Sequence, residues 1–128
     1  MAQLDFLVTD ADTAITVGSG AVPVLATPRL IAWLEAATVQ AAAELAEQPL
    51  SDEQTSVGTR VDIEHLLASP VGAAVDVTAD LVYRDGRLLR FAVAAHHDVG
   101  EGPALIARGE ITRIVVQIDR FLARLPRL

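Results

Sequence analysis

The chain has 128 residues, of which 52% are hydrophobic, a formal net charge of −7 and no cysteine. The lack of cysteine excludes disulfides, thiolate metal sites and cysteine nucleophiles. All ten basic residues are arginine, and an acidic chain with scattered arginines is a poor binder of nucleic acid, which requires a concentrated basic patch.

The length is typical of one domain, which we expect to span residues 1–128. No apolar run approaches the roughly 20 residues needed to cross a membrane. The N-terminal stretch MAQLDFLVTDAD lacks the basic flank and apolar run of a signal peptide. We therefore expect a cytoplasmic protein that has no membrane partner.

The first predicted elements are a weakly periodic strand within Leu4–Thr16 and a long helix. The helix start is marked by Thr27 and Pro28, because threonine is a good N-cap and proline is favoured at the first helical position. The following residues are rich in Ala, Leu and Glu and repeat apolar side chains at helical spacing. This pattern predicts a helix from Pro28 to about Glu47.

The hydrophobic period then changes to two, which predicts an antiparallel meander. In its first strand we expect one face to carry Val57, Thr59, Val61, Ile63 and His65, and the other to carry Ser56, Arg60, Asp62 and Glu64. Further strands are predicted over Val75–Arg84 and Leu89–Ala95, joined by an Asp85-Gly86 hairpin turn, and over Ala104–Ile118. We interpret Ser69–Gly72 as a turn and His96-His97 as a strand end, because adjacent strand residues face opposite ways and cannot share a metal.

One long apolar helix followed by a meander is best covered by a sheet that curves around it. The predicted fold is therefore α+β, of the hotdog type. The helix carries apolar residues on more than one side, so one sheet does not hide it completely. We expect a homodimer with the two sheets side by side.

Three polar side chains stand on these apolar faces, and burying such groups is costly unless they pair or react. His65 is a candidate general base, since imidazole titrates near neutral pH. Glu35 is a candidate nucleophile or a group that orients the imidazole or water, and Thr27 either attacks or positions the substrate. Backbone N–H groups at the helix start or at Gly58 could hold an oxyanion. The alternatives are a helix-capping threonine, a solvated glutamate and a core histidine.

Thr27 and Glu35 lie about 12 Å apart along a straight helix, too far for direct contact. Either the helix starts after Thr27 with an altered path, or the working set is assembled across a dimer interface. We favour the dimer.

The ordered set of residues resembles the fluoroacetyl-CoA thioesterase family of hotdog proteins. A Thr stands eight residues before a Glu (Thr27, Glu35), and a Gly-Thr pair stands before a His seven residues after the Gly (Gly58, Thr59, His65). The resemblance covers roughly Val22 to Leu125 and includes Pro70, Gly72, Asp85, Gly86, Arg113 and Phe121. It implies an acyl-CoA thioester hydrolase that uses no metal and no cofactor, with Thr27, Glu35 and His65 catalytic and Gly58 and Thr59 contacting the substrate.

Two departures from the family pattern limit what the resemblance implies. Gly18–Pro23 is short where the family has a longer lid segment, and the last strand lacks a His within Gly109–Arg113. The fluoroacetyl preference is therefore not carried over, and the acyl group and its carrier, CoA or acyl carrier protein, remain open. The alternative function is a non-catalytic hotdog module that binds an acyl-CoA or similar ligand. A hotdog dehydratase would arrange its Asp and His differently.

Overall fold

One antiparallel sheet of five strands packs around a long helix, as seen in a computed structural model that describes all 128 residues. The strands are β1 (Ala2–Leu7), β2 (Gln54–His65), β3 (Ala74–Asp85), β4 (Leu88–Asp98) and β5 (Pro103–Gln117). The helices are α1 (Ala14–Val17), α2 (Thr27–Ala43) and α3 (Ile118–Ala123), and a 3-10 turn spans Asp10–Asp12. None of these helices has the length and apolar character that crossing a membrane requires.

The strands lie in the order β1-β3-β4-β5-β2, and every neighbouring pair is antiparallel. The predicted turn joins β3 to β4, and Gly86 takes the positive φ of 57° that glycine tolerates best. β1 and β2 form the two edges of the sheet. One helix packed against a curved antiparallel sheet is the hotdog fold, so this prediction is confirmed.

The core lies between α2 and the sheet, because α2 presents an apolar stripe at helical spacing. Leu30, Leu34 and Ala37 are wholly buried in this stripe. Trp33 stacks on Phe6 of β1 with the ring centroids 4.5 Å apart. The sheet contributes buried residues that include Val77, Phe91 and Ile111. This packing sets the beginning of α2 beside the end of β2, where the candidate site lies.

The ends of α2 differ from the prediction. Ala26 occupies the N-cap position and Thr27 is already helical, so the prediction that Thr27 caps the helix is wrong. The helix ends at Ala43 rather than near Glu47, and the Glu44 N–H closes the last turn by donating to carbonyls one turn earlier. Gln48 has a positive φ of 48°, which takes the backbone out of helical geometry.

The chain contains more helix than the sequence predicts. The N-terminal strand ends at Leu7 and is followed by the 3-10 turn and α1, where the Thr13 hydroxyl accepts a hydrogen bond from the Thr16 N–H. The last strand ends at Gln117 and continues into α3. These short helices are too brief to show a helical hydrophobic period, which is why the sequence did not predict them.

A bulge in β2 changes which side chains face the core. Within Gly58–Arg60, two residues of β2 correspond to one step on β5. Ser56 is therefore buried on the α2 side, the side that Ile63 also packs against, and the prediction that it faces away is wrong. An inserted residue interrupts the alternation of inward and outward side chains along a strand. In β2 the inserted residue is Thr59.

Candidate active site

Thr27 and His65 meet where α2 begins and β2 ends. Thr27 Oγ1 lies 2.7 Å from His65 Nδ1, a hydrogen bond between side chains 38 positions apart in the sequence. Because Ala26 holds the N-cap position, the Thr27 hydroxyl is not used to cap the helix and is available to the imidazole.

The protonation of His65 suits a base. Burial lowers the pKa of His65 below its ordinary value of 6.5, and the backbone of Leu67 opposes part of this shift. With the ring proton on Nε2, Nδ1 accepts a hydrogen bond from the Thr27 hydroxyl. Nε2 itself is buried and has no hydrogen-bond partner within the protomer. The base is therefore set against a hydroxyl, and no second side chain of the same protomer orients it.

Ser69 links the two segments that carry this pair, and a second histidine holds Ser69 to β4. His97 of β4 is buried, and its Nδ1 lies 2.7 Å from Oγ of the fully buried Ser69. The Ser69 carbonyl accepts a hydrogen bond of 2.9 Å from the Leu25 N–H. The segment that follows His65 is thus attached to the segment that precedes Thr27.

Glu35 lies in a different cluster, near the other end of β2. Its Oε2 is 3.6 Å from Nη1 of Arg113 in β5. Arg113 is buried and donates from Nε to the hydroxyl and from Nη2 to the carbonyl of Ser56, both at 2.8 Å. Burial lowers the pKa of Arg113 and the Glu35 carboxylate opposes that lowering. Glu35 is thus half-buried beside a fixed cation, which argues against an ordinary solvated glutamate.

Gly58 provides the space for the Glu35 carboxylate. A Cβ at position 58 would lie 2.6 Å from Glu35 Oε2 and 3.5 Å from Arg113 Nη1. Gly58 does not have a positive φ, so glycine is needed here for space and not for backbone conformation. Thr59 donates a long hydrogen bond of 3.4 Å to the Thr112 carbonyl across to β5.

The structure joins Thr27 to His65 and brings Glu35 to Gly58, but it does not unite the two groups within one protomer. No hydrogen bond or ion pair links Glu35 to Thr27 or His65. Eight helical residues separate Thr27 from Glu35 by about 12 Å, and seven strand residues separate Gly58 from His65 by roughly 20 Å. We refer to the hydroxyl–imidazole pair (Thr27, His65) and the carboxylate cluster (Glu35, Gly58, Arg113).

Sequence reasoning assigned no role to Arg113 and overlooked the contact between Ser69 and His97. A signal for Arg113 was present, because it lies two residues from each of the buried apolar residues Ile111 and Val115 on the inward face of a strand. Ser69 and His97 are 28 positions apart and share no pattern. The predictions that Ser69 belongs to a simple turn and that His97 only ends a strand missed their buried contact.

Comparisons with known proteins agree with this fold. The family model described as fluoroacetyl-CoA-specific thioesterase matches residues 8–119. The fluoroacetyl-CoA thioesterase of Streptantibioticus cattleyicolor is 35% identical over 101 residues, which are 79% of this chain and 67% of that protein.

Solved structures give the same result. A variant of the fluoroacetyl-CoA-specific thioesterase FlK, in complex with fluoroacetate and CoA, superposes with a TM-score of 0.84 at 30% identity, over 97% of this chain and 95% of that one. A thioesterase superfamily member from Thermus thermophilus, 21% identical, has a TM-score of 0.81 over 95% of this chain and 85% of its own, which supports the fold. The protein is therefore a hotdog thioesterase. The chain belongs to the family of fluoroacetyl-CoA-specific thioesterases, as its residue pattern predicted.

The pKa of His65 predicts the pH dependence of catalysis. If His65 is the base, kcat/KM should fall at acid pH as the imidazole becomes protonated. Burial within the protomer lowers this pKa and so extends the neutral base form to lower pH. His65→Ala should no longer show this fall at acid pH, and its kcat/KM should be at least about 100-fold lower than that of the wild type. His96→Gln is the control, because His96 pairs with Asp76 away from the site. A fall at acid pH that persists unchanged in His65→Ala would contradict this assignment.

Gly58→Ala should act through Glu35. The added Cβ would push the carboxylate away from Arg113, and misplacement of a reacting group by about 1 Å costs up to about 100-fold in rate. We expect kcat/KM to fall substantially while the melting temperature changes little. In a double-mutant cycle, Gly58→Ala should add almost nothing to Glu35→Ala, because the clash then has no partner. Additive losses would show that Gly58 acts independently of Glu35.

Proposed function

We propose that the protein hydrolyses acyl-CoA thioesters, with Thr27, Glu35 and His65 as catalytic residues and Gly58 and Thr59 next to the substrate. The observation that carries this proposal is the 2.7 Å contact between Thr27 Oγ1 and His65 Nδ1 at the rim of an apolar groove. The complex of the related FlK with fluoroacetate and CoA supports a CoA thioester as substrate. The whole chain acts as one hotdog domain and needs no cofactor.

The reaction begins when His65 removes the proton of the Thr27 hydroxyl as that oxygen attacks the thioester carbonyl. The resulting oxyanion is stabilised by unpaired N–H groups in the first turn of α2, where Pro28 supplies none. Collapse breaks the carbon–sulfur bond, and the imidazolium returns its proton to the departing thiolate, which leaves as the thiol of CoA. A water molecule activated by the same imidazole then cleaves the acyl–threonine ester and releases the carboxylic acid.

Glu35 reaches the hydroxyl–imidazole pair from a second copy of the chain. The His65 Nε2 atom is buried without a partner, so a carboxylate near it would orient the ring and stabilise its protonated form. Arg113 lies 3.6 Å from Glu35 Oε2 and holds that carboxylate in place. Within one protomer the two clusters stand apart, and a homodimer brings them together.

The free edge of the sheet provides the geometry for this dimer. β2 is a 12-residue edge strand, and long edge strands tend to pair with another chain. Antiparallel pairing of two copies about a twofold axis near Asp62 puts Arg60 opposite Glu64 of the second copy, which are complementary charges. Thr59 and Arg60 together occupy one step of the strand at the bulge. Gly58 then lies opposite His65 of the second copy. Two equivalent sites form, each from both copies.

A tagged heterodimer tests the shared site. Glu35→Gln and His65→Ala homodimers should each lose at least about 100-fold in kcat, about 3 kcal/mol of barrier. A heterodimer with one substitution in each chain has one intact site, since Glu35 and His65 of different copies meet. It should recover about half of the wild-type activity per dimer.

The matched control places both substitutions in one chain and pairs it with a wild-type chain. Each shared site then contains one defect, so this heterodimer should be inactive. If each site belonged to a single protomer, the results would be reversed: the first heterodimer would be dead and the control half-active. Failure of both to hydrolyse thioesters, alongside an inactive wild type, would reject the thioesterase mechanism itself.

Charge reversal tests the register of the β2 pairing. Arg60→Glu puts two glutamates opposite each other at both symmetric contacts, and Glu64→Arg does the same with arginines. Each should raise the dimer dissociation constant several-fold, more at low salt than at high salt. The double variant Arg60→Glu/Glu64→Arg should restore it. Analytical ultracentrifugation measures this, and a wild-type monomer at micromolar concentration would exclude the dimer.

A further inference from the structure

An apolar groove opens directly beside the hydroxyl–imidazole pair. It has a volume of about 300 Å³ and runs between the segment before α2 and the segment after β2. Thr27 and His65 form its polar end, and most of its remaining lining is hydrophobic. We call it the acyl groove; its apolar wall comprises Val22, Val24, Leu25, Leu66 and Leu67.

Three of the five residues of the apolar wall are exposed to solvent, whereas Leu25 is buried. Val22 is 56% exposed, Leu66 47% and Leu67 45%. Single exposed apolar residues need no explanation, but a cluster of them at the mouth of a site indicates a surface that a ligand covers. These exposed apolar residues adjoin Thr27 and His65. In the proposed function, Thr27 Oγ1 and His65 Nδ1 act at the thioester carbonyl.

The uncharged, apolar lining of the acyl groove suits one part of a CoA thioester better than the others. Within one protomer the groove contains no acidic residue and no arginine, and His65 is its only titratable group. The pantetheine arm carries amides that lose hydrogen bonds when buried against apolar side chains, and the nucleotide carries phosphates. A different groove beside α3, lined by Arg87, Arg120 and Arg124, has the charge that phosphates require. The acyl groove is suited only to the acyl end.

We propose that the acyl groove binds an apolar acyl chain of roughly four to eight carbons, which makes short- and medium-chain acyl thioesters the substrates. This inference rests on the proposed function. A methylene is close in size to a water molecule, which occupies about 30 Å³, so the groove holds roughly ten such groups, including the thioester itself. A two-carbon acyl group would leave most of the apolar wall exposed.

The test is a chain-length series of acyl-CoAs from acetyl to dodecanoyl. Burial of each added methylene should raise kcat/KM about fourfold until the groove is full, at roughly eight carbons, and the gain should then stop. Val22→Trp should fill the groove and lower the octanoyl-to-acetyl ratio of kcat/KM by at least about tenfold. Val82→Trp is the matched control, because Val82 is 54% exposed on β3, outside the groove. It should leave the ratio within about twofold.

A second variant keeps the test decisive if Val22→Trp disturbs the fold. Leu67→Asn preserves size and puts an amide in the apolar wall, so it should also lower the octanoyl-to-acetyl ratio, and Leu122→Asn on α3 is its control. A flat chain-length series, or equal effects of Val22→Trp and Val82→Trp, would overturn the proposal. So would a change of oligomeric state in Val22→Trp with an unchanged ratio, which would assign the groove to a second copy.

Binding of non-hydrolysable thioethers separates this proposal from the proposed function. If no thioester is cleaved but S-octyl-CoA binds more tightly than S-ethyl-CoA, and Val22→Trp removes the difference, the groove is correct and the mechanism is wrong. If thioesters are cleaved with no preference for length and the two thioethers bind equally, the mechanism stands and the groove proposal is wrong.

Discussion

The burial of α2 against the sheet is the interaction on which the rest of the structure depends. Leu30, Leu34 and Ala37 are wholly buried there, and each fully buried leucine contributes roughly 2 kcal/mol through the hydrophobic effect. This packing fixes both the direction and the depth of α2. It sets the first residue of α2 against the last residue of β2 and, two turns later, brings Glu35 to Gly58. Each candidate group is therefore positioned by the core rather than by a flexible loop.

Arg113 is the most costly group that this arrangement retains. Burying a guanidinium costs several kcal/mol unless its donors are satisfied and its charge is balanced. Ser56 accepts two of its N–H groups, Thr38 lies 3.4 Å from Nη1, and Glu35 supplies the opposite charge. An apolar residue would fill this position at lower cost, so a buried arginine beneath a half-buried carboxylate is most simply explained by its effect on that carboxylate. Gly58 completes this cluster by leaving the carboxylate room.

The hydroxyl–imidazole pair is controlled by burial, and the carboxylate cluster by an ion pair. Burial lowers the pKa of His65 and so favours its neutral, proton-accepting form, whereas the buried arginine holds the Glu35 carboxylate through an ion pair. The His65 base and the Glu35 carboxylate lie near different ends of the unpaired edge strand β2. Pairing of two copies about a twofold axis would therefore bring the base of one copy to the carboxylate of the other. At the end that holds the base, the Ser69 carbonyl links the segments on either side, and His97 holds Ser69 to β4.

The sequence by itself determined the hotdog fold, the Asp85-Gly86 hairpin, the family and the identity of Thr27, Glu35 and His65 as the residues to consider. These features follow from local periodicity, turn chemistry and spacing, which are properties of short stretches of chain. Only the tertiary structure decided that Thr27 contacts His65, that a bulge turns Ser56 inward, and that Glu35 pairs with Arg113. Partners such as Glu35 and Arg113, or Ser69 and His97, are far apart in sequence. Their contacts depend on strand register and on the depth at which α2 packs. Neither quantity can be predicted from the hydrophobic periodicity of the sequence.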